Sequence, residues 1–363
     1  MKVILLANCN SIHTIKWSVS LAERDISVIV FSFGKLEVGN YENRNLKIIA
    51  FGDRVSRGNL INKLSHLKAL PYLKKIIKKE VPDLLHAHYA SSYGLLGALT
   101  GFRPFILSVW GSDVFSFPKN SFLHKTILKY NLSRADKILS TSKIMAVETN
   151  LYTTKKIEVT PFGIDTQILK PMKVESIFLE KEIVIGTIKS LEKVYGIEYL
   201  IRAFKIILDT YKGKKTLKLL IVGDGSLELK LKELTKELKI TRNVIFKGRI
   251  PFDQVPIYHN MIDIFVAASL EESFGVSVIE ASSTGKAVVV TNVGGLPEVV
   301  EDGETGFLVP KKNSLKLAEA INKLVLNTNL REKMGRNGIK RVKELYEWEK
   351  CVNKMILIYK KYI

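Results

Sequence analysis

Eight short apolar runs recur along the chain, at residues 2–7, 26–32, 83–90, 105–109, 183–188, 218–222, 244–247 and 264–268. They do not alternate apolar with polar, so they read as strands buried on both faces. Between them lie segments with apolar residues at helical spacing, among them 14–24, 197–208 and 227–238. Strand–helix alternation of this kind builds a parallel, doubly wound α/β sheet. A chain of 363 residues is too long for one such core. Residues 166–182 carry Pro171 and mixed charge and read as a linker, which divides the chain into domains at 1–168 and 182–344, with a last helix in 345–363.

In open sheets of this type, ligands bind outside the carboxyl ends of the strands. The stretch 269–285, SLEESFGVSVIEASSTG, follows one apolar run and leads into a helical pattern at Val276, Ile279 and Ala281. Its order is strand, polar loop, helix N-terminus. The unpaired N–H groups of a helix N-terminus, here near Phe274, Gly275 and Val276, suit a phosphate. Glu272 in the loop and Glu280 in the helix are poor phosphate ligands but good acceptors for sugar hydroxyls. Phosphate and hydroxyl recognition together point to a nucleotide-sugar.

Glu272, seven residues and Glu280, within Glu-Ser-Phe-Gly-Val-Ser-Val-Ile-Glu-Ala, resemble the paired-glutamate signature of the family 4 retaining glycosyltransferases. Three further segments resemble family segments in family order: Gly285-Lys286-Ala287-Val288-Val289, Gly294-Gly295-Leu296-Pro297-Glu298 and Gly303-Glu304-Thr305-Gly306-Phe307-Leu308-Val309. The resemblance implies the GT-B fold, in which two Rossmann-like domains face each other across a cleft. It implies an acceptor-binding first domain, a donor-binding second domain, and a final helix that returns to the first. It implies an enzyme that moves a sugar from a nucleotide donor to a polysaccharide or lipid-linked glycan. It assigns Glu280 to the ribose, Glu272 to the donor sugar, and the N–H groups near Phe274, Gly275 and Val276 to the distal phosphate.

Departure of the diphosphate needs preorganised positive charge. Other glycosyltransferases supply it with a metal held by Asp-x-Asp, which occurs nowhere here. A metal-free reaction with no cofactor is therefore expected. The family carries basic residues after the first strand of the second domain, and Lys189 and Lys193 are the nearest matches. Gly223 and Gly248 follow later strands and allow close backbone approach. In the first domain, His13 lies in a loop that resembles the family's donor-facing one. The family often has His-Gly-x-Asp where this chain has Trp110-Gly111-Ser112-Asp113, so His88 or His13 is left to take that histidine's role. His86 and His88 lack a third ligand and make no convincing metal site.

The net charge is +20, and residues 1–170 hold 24 basic against 12 acidic side chains. Residues 54–79 alone contain eight basic residues and no acidic one, with apolar residues at helical spacing interrupted by Pro71. Such a segment is either the solvated face of a crossover helix or a contact for an anionic membrane. A nucleic-acid binder is disfavoured, because no helix-turn-helix, zinc or RNA-binding signature is present. Another GT-B enzyme, a nucleotide-sugar epimerase, stays open. No apolar run nears the roughly 18 residues of a membrane span, and the first residues read as a strand rather than a signal peptide. Two cysteines, Cys9 and Cys351, make no disulfide framework. A cytoplasmic enzyme, peripheral on the inner face of the cell membrane, is the expected location.

Overall fold

The structure is a computed structural model and describes residues 1–37, 43–52 and 65–363. It divides into two units, one formed by residues 1–161 with 350–363, the other by 162–349.

The first unit is built on a seven-stranded parallel sheet in the order β3-β2-β1-β4-β5-β6-β7. The strands are β1 (Lys2–Leu6), β2 (Ser27–Ser32), β3 (Leu46–Ala50), β4 (Leu84–His88), β5 (Phe105–Val109), β6 (Lys137–Ser140) and β7 (Ile157–Val159). The order reverses at β1, which pairs with β2 on one side and β4 on the other. Loops after β1 and β4 therefore diverge around a switch point, where open sheets place ligands. The apolar run at 83–90 yields a shorter strand than its length predicts, because Tyr89 leaves the ladder with φ +86°.

The second unit is a six-stranded parallel sheet in the order β10-β9-β8-β11-β12-β13. Its strands are β8 (Glu182–Ile188), β9 (Thr216–Val222), β10 (Val244–Gly248), β11 (Ile264–Ala267), β12 (Ala287–Thr291) and β13 (Gly306–Val309). Here the switch point lies between β8 and β11, which pair Ile264 with Ile185 and Phe265 with Gly186. Helix Ile197–Thr210 covers one face with Ile197, Leu200, Ile201, Phe204 and Ile207, all buried and at i, i+3, i+4 spacing. Each such side chain contributes roughly 1.5–3 kcal/mol of burial.

Helix Leu70–Glu80 begins with Pro71 in its first turn, so the proline starts this helix rather than interrupting one. It buries Leu73 and Ile76 and leaves Lys74, Lys75, Lys78 and Lys79 exposed. Arg54, Arg57 and Lys63 of the basic segment lie outside the described residues. Among the described residues, no helix is long and apolar enough to cross a membrane. The last helix, Trp348–Lys360, carries the chain from the second unit into the first, where Tyr359 is buried and its hydroxyl lies 2.7 Å from His86 Nδ1.

Candidate active site

The loops after β8 and β11 flank the switch point of the second unit, and they bring Lys189 and Glu272 together. Lys189 Nζ donates to Glu272 Oε2 at 2.6 Å, with both side chains largely buried. The ammonium also lies 4.6 Å from the centre of the Tyr195 ring, a cation–π distance. Lys189 is thus fixed from two sides rather than waving in solvent.

Glycines set these loops against their neighbours. A Cβ on Gly223, at φ +132°, would stand 2.0 Å from the Lys189 carbonyl oxygen. One on Gly294, at φ +51°, would stand 1.7 Å from the Glu272 carbonyl oxygen, and Gly295 N–H donates to that same oxygen at 3.0 Å. Gly223 therefore admits the Lys189 loop, and Gly294 with Gly295 shores the Glu272 loop. Gly248 accepts from Gly223 N–H at 2.9 Å, and its own φ is +76°.

Helix Val276–Ser283 starts directly after this loop. Its N-cap is Gly275 at φ +109°, and no side chain caps it. Phe274 is buried, with its ring edge-on to Tyr346. The first-turn N–H groups at Val276 and Ser277 lack intrahelical partners by construction, so this end carries partial positive charge. Glu280 lies one turn along, 8% exposed, with Oε2 3.4 Å from His259 Nε2. The hydroxyls of Thr187, Ser269 and Ser277 are buried with no hydrogen-bond partner. These hydroxyls lie near the end of β8, just after β11 and in the first turn of the helix that follows. Lys193, in contrast, is exposed in the turn Lys193–Tyr195 and lines a hollow with Arg202 and Lys230. It is not brought to Glu272.

In the first unit, His88 ends β4, 3% exposed, with Nδ1 unpartnered. Burial, with His13 nearby, pushes its pKa down to about 3, so it is neutral. Its ring lies 4.5 Å from that of Trp110, and His13 meets Trp110 edge-on at 6.0 Å. His13, His88 and Trp110 thus form one aromatic group at the carboxyl edge of the first sheet. His86 is committed elsewhere, to Tyr359 and, at 2.8 Å, to Ser108. Asp113 is fully buried and accepts from Ala90 N–H at 2.6 Å, Gly111 N–H at 2.7 Å and Trp110 N–H at 3.1 Å. It ties the loops after β4 and β5 together, a role that its place in the sequence does not disclose. Among the described residues, no group of three His, Cys, Asp or Glu side chains could hold a metal ion.

Comparisons with known proteins bear on the family and the fold. Residues 171–341 match the family model described as glycosyl transferases group 1, and residues 2–142 match one described as glycosyl transferase 4-like. The chain is 30% identical over 352 residues to the capsular polysaccharide biosynthesis glycosyltransferase CapM of Staphylococcus aureus, covering 91% of this chain and 89% of CapM. It is 27% identical to the N-acetyl-alpha-D-glucosaminyl L-malate synthase of Bacillus anthracis, covering 82% of each. Among solved structures, the fold is similar to sucrose-phosphate synthase from Thermosynechococcus elongatus, with a TM-score of 0.86, 20% identity, and 99% and 98% of the two chains covered. It is also similar to Anabaena HepE in complex with UDP, with a TM-score of 0.80, 18% identity, and 99% and 100% covered.

Proposed function

The chain belongs to the group 1 glycosyl transferases and has the GT-B fold, and from that premise we propose a retaining, metal-independent enzyme that moves a sugar from a nucleoside diphosphate donor to a glycan or lipid-linked acceptor. The observation that carries this reading is the Lys189–Glu272 pair, set before an uncapped helix N-terminus with Glu280 one turn behind it. Lys189 and the N–H groups at Phe274, Gly275 and Val276 take the diphosphate. Glu280 takes ribose hydroxyls and Glu272 a hydroxyl of the donor sugar.

As the bond from the anomeric carbon to the diphosphate breaks, negative charge grows on the leaving oxygen. Preorganised donors aimed at that charge lower the barrier without reorganising. Lys189, held against Tyr195 and Glu272, is such a donor. In the first unit, neutral His88 has an unpartnered Nδ1 that suits a hydroxyl of the acceptor. HepE in complex with UDP and with UDP-glucose supports a nucleotide-sugar donor. CapM, named for capsular polysaccharide biosynthesis, supports a glycan acceptor. A cytoplasmic enzyme, peripheral on the membrane's inner face, fits the exposed lysines of helix Leu70–Glu80.

The test is a panel of UDP-, GDP- and ADP-sugars, followed by product analysis with and without EDTA. One donor class should bind with micromolar or tighter affinity, and transfer should proceed in EDTA with the anomeric configuration kept. Turnover that EDTA abolishes and magnesium restores refutes the metal-free reading. An inverted product refutes retention.

A further inference from the structure

Glu280 has one partner outside the proposed donor contacts. His259, on helix Val255–Met261, is 0% exposed, with its ring 5.4 Å from that of Phe265. Its Nε2 lies 3.4 Å from Glu280 Oε2, and its Nδ1 is buried with no partner. A carboxylate beside Nε2 calls for a proton on Nε2, so the ring donates to Glu280 while Nδ1 stays buried without a partner. A buried imidazole with one unmatched nitrogen is costly, and an apolar residue would fill the space without that cost. The one polar service that His259 performs is to Glu280. Glu280 Oε1 accepts no hydrogen bond among the described residues.

We propose that His259 is a positioning residue for the donor. Its Nε2–H occupies Oε2, fixes the Glu280 rotamer, and so presents Oε1 to the ribose. The separation is long for such a bond, so His259 acts mainly through orientation. This inference rests on the reading of Glu280 as the ribose ligand.

The experiment measures affinity by calorimetry for UDP, GDP and ADP, takes the one that binds most tightly, and compares it with its 2′-deoxy analogue. The ratio of the two affinities reports ribose recognition alone. A residue that merely supports the fold weakens both and leaves the ratio in place. Glu280→Gln should collapse the ratio. His259→Leu should lower it by about fivefold or more, the scale of one oriented hydrogen bond, with no further fall in the double variant. If His259→Leu fails to fold, His259→Gln and His259→Asn decide. Gln places its amide nitrogen near Nε2 and should keep the ratio, whereas Asn places it near Nδ1 and should lose it. An unchanged ratio in His259→Leu or in His259→Asn, with the ratio lost in Glu280→Gln, overturns the role of His259 and leaves the donor site standing. An unchanged ratio in Glu280→Gln overturns the ribose assignment and this inference with it.

Discussion

Lys189 and Glu272 are opposite charges with side chains only 13% and 10% exposed, and that burial decides what each substitution does. Removing one member of a buried pair strands the other, which costs more than removing both. Lys189→Ala should therefore be destabilised by roughly 2–4 kcal/mol and lose most of its kcat, while Lys189→Ala with Glu272→Gln regains part of the stability and none of the turnover. Denaturant midpoints and single-turnover rates on the same samples measure the two effects. A double variant no more stable than Lys189→Ala would show that the pair is not coupled. At this scale the glutamates could be read from their spacing and surroundings, because both lie in one continuous stretch. His259 and Asp113 could not be assigned that way. Asp113 meets an N–H of Ala90, far away in sequence, and His259 meets Glu280 from a separate helix.

The site loops are rigid because backbone packs on backbone. Gly294 at φ +51° presses on the Glu272 carbonyl, and Gly196 at φ +60° faces the Ala268 carbonyl oxygen. Alanine at such a φ costs about 1–2 kcal/mol from conformation alone. At Gly294 a clash adds to this. Gly303, at φ +80°, has open space where a side chain would stand and isolates the conformational part. Gly294→Ala should thus lower Tm more than Gly303→Ala and should also weaken nucleoside diphosphate binding, which Gly303→Ala leaves unchanged. Equal Tm losses with intact binding in both would remove the brace. The eight strands that read as apolar runs were legible, since such runs admit little else, whereas the edge strand β3, only partly buried, gives no such run. Their ends were less so, because Tyr89 turns out of the ladder and the register of β10 shifts between Phe246 and Gly248, on local grounds that apolar periodicity does not register. Gly294 and Gly295 stand out in the sequence as part of a family-like segment, and the fold shows what they support.

For the molecule as a whole, the net charge of +20 is the property that fold and donor site leave unexplained. It is heavier in the unit assigned to the acceptor. There, Lys68, Lys74, Lys75, Lys78 and Lys79 are exposed within twelve residues, on helix Leu70–Glu80 and the turn before it. The nearest acid, Glu80, is already engaged by Lys47 at 2.9 Å and Lys2 at 3.7 Å. Near an anionic leaflet each lysine contributes up to about 1 kcal/mol within a Debye length of the surface. They span more than one face of the helix, so a few act at once, enough for reversible binding and not for anchoring. The chain should sediment with vesicles that contain anionic lipid and not with neutral ones, and high salt should release it. Changing Lys74, Lys75, Lys78 and Lys79 to Glu should abolish binding. Changing the exposed Lys212, Lys214, Lys215 and Lys236 of the second unit to Glu alters net charge equally and should leave most of it. If both sets lose binding alike, overall charge and not this helix is responsible. If the chain stays in the supernatant with anionic vesicles at low salt, the lysines serve only to solvate a crossover helix, and a lipid-linked acceptor must reach the enzyme without help from this surface.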